Sequence, residues 1–437
     1  MDLRSLALEI EEKVTLVDTG EVPVLAEDFE NKSTRSDDDT ISQIGGVAVE
    51  YSMEFDGLSE IDDIDEGYIS RTRDMKASYK GSFASTKSGK KSRGDGPIKL
   101  FTRRTAQILD VSEREVPEIL VNSPKKALRV NGLRFEKGVD GATQAILVDD
   151  TLRSEGIEAW RLDWFDGAFI FDAADTAKVQ KQTLAEQGKI FIQNPSSYLP
   201  VIALEPTHSR NILDMCSAPG GKTALIAALT AESNVNLIAN EPKGRRMQKL
   251  KEVLGILGVQ DVEFMDHDGR HLPNLLGRET FDRILVDAEC STEAGINFES
   301  KEPLKDWNID RVKRVSILQK QLITAAYDLL EPGGVLVYST CTLSPEENEG
   351  VVSTLLERRS DAVVQPVSFE AEETIRKIKI WQGERYPKEV YDRCLRIFPS
   401  DYMEGFFLSR IRKPTGIKEI DESFEDVISI ERSAQLK

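Results

Sequence analysis

From about residue 210 onward, short apolar runs alternate with amphipathic segments, and this alternation constrains the fold more than any other feature. The segments predicted as strands are Asn211–Asp214, Val235–Ala239, Asp261–Phe264, Arg283–Asp287 and Val335–Tyr338. The segments predicted as helices are Lys222–Ala231, Arg245–Leu257 and Asp310–Leu330. Strands that are joined through helices form a parallel sheet with helices on both faces. We therefore predict an α/β domain whose ligands bind at the carboxyl ends of its strands.

Three other stretches flank this α/β domain, which we place at residues 196–413. Residues 1–96 have acidic runs and scattered apolar residues, which predict a disordered acidic tail with at most a short helix at 5–16. Residues 97–195 combine strands at Ala127–Leu133 and Lys189–Gln193 with a helix at Ala173–Gln187, and they predict a small α+β domain. Residues 414–437 are predicted to be a C-terminal tail. The acidic tail is either a solvated segment or a site for a partner.

The net charge of −19 opposes nucleic-acid binding at first sight. However, residues 1–95 alone hold 22 acidic and 12 basic residues, so about half of the excess lies in the tail. The net charge of a protein affects its solubility and the rate at which charged partners approach it, but it does not determine which ligand a local groove binds. RNA therefore stays open as a partner. We expect a monomer, although the sequence does not settle the oligomeric state.

The four cysteines and three histidines show neither a disulfide framework nor the spacing of a metal site. No run of about 18 apolar residues is present, and the N-terminus resembles no signal or transit peptide. We therefore expect reduced thiols, no bound metal, no membrane span and a cytoplasmic protein.

The segment that follows the first strand of the α/β domain is the candidate cofactor loop. In Asp214–Thr223, Gly220 and Gly221 allow a sharp turn and a close approach of the backbone to a ligand. Glu241 ends the second strand, where a carboxylate can accept hydrogen bonds from ribose hydroxyls. A phosphate fingerprint is absent, so S-adenosylmethionine is favoured over a dinucleotide. Asp268 could accept a bond from an adenine amino group, or it could simply form a turn.

Two cysteines lie at the ends of neighbouring strands. Asp287–Ser291 closes one strand and contains Cys290, and Ser339–Glu349 closes another and contains Cys341. Each thiol taken alone could be a small buried hydrophobic group. Together they suit methylation of carbon 5 of cytosine, because a thiolate can add to carbon 6 and activate carbon 5. Asp287 is then placed to protonate or hydrogen-bond N3 of the base.

At these residues the chain resembles the RsmB/Sun family of RNA 5-methylcytosine methyltransferases, over roughly residues 120–413. The matching motifs are Ala127–Asn131, Gln193–Pro200, Cys216–Thr223, Asp268–Arg270, Phe281–Asp287, Tyr338–Glu349, Leu395–Pro399 and Glu404–Leu408. The resemblance implies a Rossmann-like class I methyltransferase sheet behind a small RNA-binding domain, with rRNA or tRNA as substrate. It implies Cys341 as the nucleophile and Cys290 as the thiol that aids product release. The residues implied to contact S-adenosylmethionine are Cys216, Ser217, Ala218, Pro219, Gly220, Gly221, Lys222, Glu241, Asp268 and Asp287.

One position departs from the family pattern, because Glu289 stands where the family usually has proline before the cysteine. This change frees the backbone and adds a charge beside the catalytic pocket. Two alternatives therefore stay open: methylation of DNA or protein, and a catalytically impaired RNA-binding or ribosome-assembly factor.

A second open question is how the RNA is held. The neighbouring Lys125, Lys126, Arg129 and Arg134 are either a phosphate-binding cluster or a solvated face.

Overall fold

A computed structural model describes residues 96–369, 377–416 and 428–430. The predicted N-terminal tail, its short helix and most of the predicted C-terminal tail lie outside the described residues. The helices are α1 (Pro97–Leu109), α2 (Val116–Ile119), α3 (Gly141–Ser154), α4 (Thr176–Gln180), α5 (Thr183–Glu186), α6 (Leu199–Leu204), α7 (Gly221–Leu229), α8 (Gly244–Leu257), α9 (Leu272–Leu276), α10 (Ile309–Leu329), α11 (Glu349–Arg358) and α12 (Lys388–Arg393).

Within the described residues, the strands form four separate sheets. They are β1 (Lys125–Val130), β2 (Ala159–Arg161), β3 (Ala168–Asp172), β4 (Ile190–Ile192), β5 (Asn211–Asp214), β6 (Asn236–Asn240), β7 (Glu263–Met265), β8 (Phe281–Asp287), β9 (Leu330–Thr340), β10 (Val363–Gln365), β11 (Val367–Phe369), β12 (Ile380–Trp381), β13 (Glu384–Arg385), β14 (Leu395–Ile397), β15 (Phe406–Arg412) and β16 (Ile428–Ile430). The two smallest sheets pair β11 with β16 and β12 with β13.

The largest sheet has the order β7-β6-β5-β8-β9-β15-β10, with β14 paired to β15. Neighbours from β7 to β9 run parallel, whereas β15 runs antiparallel to both β9 and β10. The five strands predicted for this domain are all present, so the α/β prediction is confirmed. Their carboxyl ends share one edge of the sheet, which is where the candidate site residues lie.

Helices cover both faces of this sheet, as successive side chains of β9 illustrate. Val337 packs in a cluster that contains Leu225 and Ile226 of α7. The adjacent Leu336 packs on the other face in a cluster with Ile323 of α10. Because successive strand residues point to opposite faces, a continuous apolar run is required wherever both faces are buried.

The sheet near the N-terminus has the order β2-β3-β1-β4 and is antiparallel throughout. One face of this sheet is covered by α3, whose Val148 and Leu152 pack in one cluster with Phe169 and Phe171 of β3. The two helices ahead of it pack elsewhere: Phe101 of α1 lies in a cluster with residues such as Trp307 and Trp381. Residues 97–195 thus contribute to more than one core, and the proposed boundary at 195 stays a prediction.

The prediction of a single helix over Ala173–Gln187 is wrong, because the structure has a 3₁₀ turn and two short helices there. A 3₁₀ turn at Ala173–Asp175 leads into α4, and α5 begins only after Gln182, whose backbone is extended at φ −68° and ψ 142°. The break allows Val179 and Leu184 to pack on the same cluster of apolar side chains. Tertiary packing here overrides a helical sequence pattern.

Two of the four residues suggested as a phosphate-binding cluster have structural roles instead. Arg129 is fully buried and donates to Gln193 Oε1 at 3.0 Å. Arg134 donates to the carbonyl oxygens of Ile256 and Gly255 at the end of α8. Cations commonly satisfy such free carbonyls at helix C-termini. Burial therefore excludes Arg129 from both alternatives, whereas Arg134 is exposed and binds these carbonyls.

Candidate active site

The pairing of β8 with β9 brings the two candidate cysteines together. Asp287 is the register partner of Ser339, so the loops that follow these residues start side by side. The Sγ atoms of Cys290 and Cys341 lie 3.4 Å apart. Cys290 is buried and Cys341 is partly exposed, so the thiol predicted to be the nucleophile is the more accessible of the two.

The two thiols are not equivalent. The hydrogen bond with Cys341, followed by burial, raises the pKa of Cys290 well above that of an ordinary thiol. Cys290 therefore keeps its proton in the resting protein. Since only a thiolate is a good nucleophile, this asymmetry favours Cys341 for attack on a substrate.

An ion pair stands next to the thiols. Lys222 Nζ lies 2.7 Å from Asp287 Oδ2, and the hydroxyl of Ser339 donates to Asp287 Oδ1 at 2.8 Å. Burial acts to lower the pKa of Lys222, but Asp287 and the nearby Cys341 outweigh it and raise the pKa above its usual value. Lys222 is thus a fixed positive charge beside the accessible thiol.

The loop after β5 is built for close backbone approach. Gly220 has φ 114°, and a Cβ added to it would lie 2.9 Å from Leu250 Cδ1. A Cβ on Gly221 would lie 2.8 Å from Gln193 Nε2. The Ser217 amide donates to Asn240 O at 2.9 Å, which anchors the loop to β6. Gly220 is therefore required by its positive φ, and a larger residue at Gly221 would have to displace the side chain of Gln193.

The other residues of this loop that were predicted to contact the cofactor differ in their burial and in their contacts. Cys216 is partly buried, and Ala218 is buried with its carbonyl accepting from Arg246 at 3.0 Å. Pro219 is exposed and follows a cis peptide bond. Burial, then the carboxylates of Glu241 and Asp214, raises the pKa of Cys216 well above its usual value. Cys216 is consequently a neutral thiol in the wall of the pocket.

Glu241 belongs to a charged network that reaches the loop of Cys290. Its carboxylate is buried, accepts from the Lys243 amide at 3.1 Å and lies 3.1 Å from Arg246 Nη1. Lys243 Nζ in turn lies 2.7 Å from Glu289 Oε2, and Arg246 lies 3.8 Å from the same oxygen. Burial acts to raise the pKa of Glu289, but Lys243 outweighs it and the pKa is lowered. Glu289 is thus an ionised partner of two cations.

Asp268 follows β7 at the far side of the site. It accepts from the Arg270 amide at 3.0 Å and forms an ion pair with the Arg270 side chain at 2.5 Å. Burial opposes the shift, but these bonds lower the pKa of Asp268. Asp268 is therefore an ionised, one-third exposed acceptor, and it also has the turn-forming role considered from the sequence.

The polar side chains of the site suit the hydrogen-bonding groups of S-adenosylmethionine. The buried Glu241 is an acceptor suited to ribose hydroxyls, and the Asp214 Oδ1 atom is buried without a hydrogen-bond partner in the described part of the chain. Such an orphaned carboxylate oxygen suits the ammonium group of an amino acid. Burial raises the pKa of Asp214 to about 7, and a cationic ligand would favour its ionised form.

Sequence reasoning missed several residues of the site. Asp214 begins the candidate cofactor loop, but the sequence alone assigns it no contact of its own, although its place at the carboxyl end of β5 is a usable signal. Lys243 and Arg246 follow β6 and were not selected. Glu347 lies within the matching motif Tyr338–Glu349, but the sequence assigns it no contact, because its burial becomes visible only in the fold.

Comparison with known proteins identifies the family. The profile of the 16S rRNA methyltransferase RsmB/F family matches residues 201–412. A tRNA (cytosine(49)-C(5))-methyltransferase from Pyrococcus abyssi is 40% identical over 228 residues, which cover 52% of this chain and 71% of the relative. The chain belongs to the RsmB/F family. The resemblance predicted from the motifs is confirmed, and the fold and family are those of S-adenosylmethionine-dependent RNA methyltransferases.

Bacterial members of the RsmB/F family match a longer part of the chain. The ribosomal RNA small subunit methyltransferase F of Vibrio vulnificus is 36% identical over 306 residues, 68% of this chain and 59% of the relative. The chain thus spans about three fifths of the length of these bacterial relatives.

Solved structures confirm the predicted Rossmann-like fold class. A methyltransferase homolog from Pyrococcus horikoshii superposes with a TM-score of 0.59 at 27% identity, covering 72% of this chain and 95% of the other. NSun6 from Pyrococcus horikoshii with SFG has a TM-score of 0.55 at 20% identity, covering 74% of this chain and 98% of the other. The second likeness shows the fold alone.

Among the described residues, none of the helices combines the length and apolar character needed to span a membrane. Within the same ranges, no group of three or more His, Cys, Asp or Glu side chains could hold a metal ion.

Proposed function

We propose that the chain methylates carbon 5 of cytosine in RNA through a covalent bond between Cys341 and carbon 6 of the base. The observation that carries this proposal is the pair of thiols 3.4 Å apart beside the ion pair of Lys222 and Asp287. A single thiol would suffice for packing, whereas two thiols, a cation and a carboxylate together meet the needs of this reaction.

The first step is attack by the Cys341 thiolate on carbon 6. The Cys341 thiol gives its proton to the Asp287 carboxylate, a new S–C bond forms and the C5–C6 double bond opens. Asp287, now protonated, gives this proton or a hydrogen bond to N3. Lys222, which contacts Asp287 and bears a positive charge, stabilises negative charge at this point of the pocket. Carbon 5 thereby becomes nucleophilic.

When bound, S-adenosylmethionine would supply the methyl group for carbon 5, and S-adenosylhomocysteine would leave as the methyl–sulfur bond breaks. We assign its binding to Glu241, Asp268, Asp287 and the loop of residues 216–222, and we add Asp214 to this set. Glu241 would accept from the ribose hydroxyls, Asp268 would accept from the adenine amino group, and Gly220 with Gly221 would let the backbone lie close to the ligand.

The last step restores aromaticity and frees the enzyme. A base removes the proton from carbon 5, the double bond re-forms, and the bond between Cys341 and carbon 6 breaks. Once the Cys341 sulfur is bonded to carbon, the interaction that raises the pKa of Cys290 most is lost. The pKa of Cys290 then falls, so its thiol gives up its own proton to solvent more readily, and the resulting thiolate takes the proton from carbon 5. In this way Cys290 aids product release.

The RNA is either ribosomal or transfer RNA, the two substrates that occur in the names of the relatives. We propose that the antiparallel sheet β2-β3-β1-β4 holds it, through surface residues such as Lys125, which lies 5.4 Å above the exposed Trp160 ring. A base can stack on such a ring. We further propose a cytoplasmic monomer, which light scattering and fractionation of cells test directly.

The alternative function is a catalytically impaired RNA-binding or ribosome-assembly factor, and Glu289 is the observation that favours it. Bisulfite sequencing of total RNA separates the two. Cells without the gene should lose methylation at one or a few cytosines, the wild-type gene should restore it, and Cys341→Ala should not. Methylation that is unchanged in all strains would refute the proposed activity.

A further inference from the structure

A buried carboxyl group lies between the loops that hold the two thiols. Glu347 is fully buried. Its Oε2 accepts from the Ser291 amide at 2.9 Å and from Gln319 Nε2 at 3.0 Å, and its Oε1 contacts the hydroxyls of Ser291 and Thr342. Ser291 directly follows Cys290, and Thr342 directly follows Cys341.

The same contacts close a ring across the two loops. The hydroxyls of Ser291 and Thr342 lie 2.7 Å apart, so each loop bonds both to Glu347 and to the other loop. Tyr338 anchors the backbone of Glu347 by donating to its carbonyl at 2.6 Å. Tyr338 on β9 therefore fixes the backbone of Glu347, and the carboxyl group of Glu347 in turn bonds both loops.

We propose that Glu347 is a positioning residue, which ties Ser291 to Thr342 and thereby fixes the separation of the Cys290 and Cys341 thiols. This inference rests on the proposed function for its catalytic meaning, but the separation itself can be measured without RNA or cofactor. Glu347 does not touch the reacting atoms in this scheme. It acts through the residue that follows each cysteine.

The contacts of Glu347 suit a neutral carboxylic acid. Two N–H groups donate to Oε2, while Oε1 meets two hydroxyls that also bond to each other. Burial, then the neighbouring Cys290 and Glu293, raises the pKa of Glu347 well above its usual value. A glutamine can reproduce this pattern, because its oxygen accepts both N–H groups and its amide donates to a hydroxyl.

Disulfide trapping measures the separation directly. Diamide takes up two electrons and two protons from a thiol pair, which becomes a disulfide as the N=N bond is reduced to a hydrazine. Formation requires the sulfurs to approach from 3.4 Å to about 2.0 Å. Mass spectrometry of the linked peptides then reports the Cys290–Cys341 bond separately from the other cysteines.

Wild type and Glu347→Gln should form this disulfide at rates within about threefold of each other, and Glu347→Ala should be at least about fivefold slower. Equal rates in Glu347→Ala and wild type would overturn the proposal, as would a Glu347→Gln rate as slow as that of Glu347→Ala. If Glu347→Ala does not fold, Ser291→Ala combined with Thr342→Val removes the same ring of bonds. An unchanged rate in that variant overturns the proposal as well.

Methyl transfer supplies the second readout. Misplacing a reacting group by about 1 Å costs of the order of 10²-fold in rate. Glu347→Ala should therefore lower kcat about 10²-fold while the KM for RNA stays within about threefold, and Glu347→Gln should restore kcat. If the proposed activity is absent, wild type itself transfers no methyl group, yet the disulfide experiment still decides the role of Glu347.

Discussion

Cys290 and Cys341 face each other with their Sγ atoms 3.4 Å apart, although 50 residues separate them along the chain. The register between Asp287 and Ser339 on β8 and β9 sets this relationship. Under the proposed mechanism the two thiols have different tasks, with the more accessible Cys341 as the nucleophile and the buried Cys290 as the thiol that aids release. The division of labour leads to the first prediction.

Cys290→Ala should allow the covalent bond to RNA to form but should slow its release. We expect a protein–RNA species that survives denaturing electrophoresis and accumulates when S-adenosylmethionine and RNA are both present. Turnover should fall by about 10²-fold or more, the usual contribution of a positioned proton-transfer group. Gel shift under denaturing conditions is the measurement.

Cys341→Ala is the matched control, and it should give neither the adduct nor methylated product. The double variant should behave as Cys341→Ala does. An adduct that accumulates in Cys341→Ala but not in Cys290→Ala would reverse the two assignments.

Asp287→Asn should lower the rate of methyl transfer without unfolding the protein. The amide keeps the size of the side chain and its bond with Ser339, but it loses the ion pair with Lys222 and the ability to give a proton to N3. We expect single-turnover rates to fall by about 10²- to 10⁴-fold. Asp282→Asn is the control, because Asp282 lies on the same strand and bonds the amides of Arg210 and Asn211 instead. A rate within threefold of wild type in Asp287→Asn would remove it from the mechanism.

The sequence was sufficient for the parts of the site that follow strands in a regular pattern. Apolar runs predicted β5, β8 and β9, and the rule that ligands bind at strand ends led to Cys290 and Cys341. It was insufficient for Arg129, whose burial depends on how the N-terminal sheet packs against Gly221. It pointed to Glu347 only as part of the motif Tyr338–Glu349 and did not predict its partners, which come from three separate segments.

Glu289→Gln should weaken cofactor binding modestly. Glu289 holds Lys243 in an ion pair at 2.7 Å, and Lys243 and Arg246 both contact Glu241. Because the Lys243 side chain is 45% exposed, solvent screens the pair, and its loss should cost no more than about 1 kcal/mol, or roughly fivefold in Kd. Calorimetry with S-adenosylhomocysteine measures this, and the effect should shrink at high salt.

Glu252→Gln, which removes an exposed ion pair with Lys249 on the same helix, is the control for that measurement. Glu289→Pro restores the residue usual in the family and should also lose the pair with Lys243. Tighter binding by Glu289→Gln than by wild type would contradict the stabilising role of this network.

Asp214 should make the stability of the protein fall as pH rises. Its folded pKa is about 7 because of burial, whereas an unfolded aspartate titrates near 3.9. The folded state therefore binds more protons than the unfolded state between these values, so the contribution is complete below about pH 4 and is lost as pH rises through about 7. The whole change is of the order of 4 kcal/mol.

Asp214→Asn isolates this contribution from the other titrating groups. The difference in unfolding free energy between wild type and Asp214→Asn, taken from urea titrations at pH 4 to 8, should favour wild type most at low pH. Thr223→Val provides a second test, because Thr223 donates to Asp214 at 2.7 Å and lowers its pKa. Removing that bond should move the window of pH dependence upward. Parallel curves for wild type and Asp214→Asn would show that Asp214 ionises normally in the folded protein.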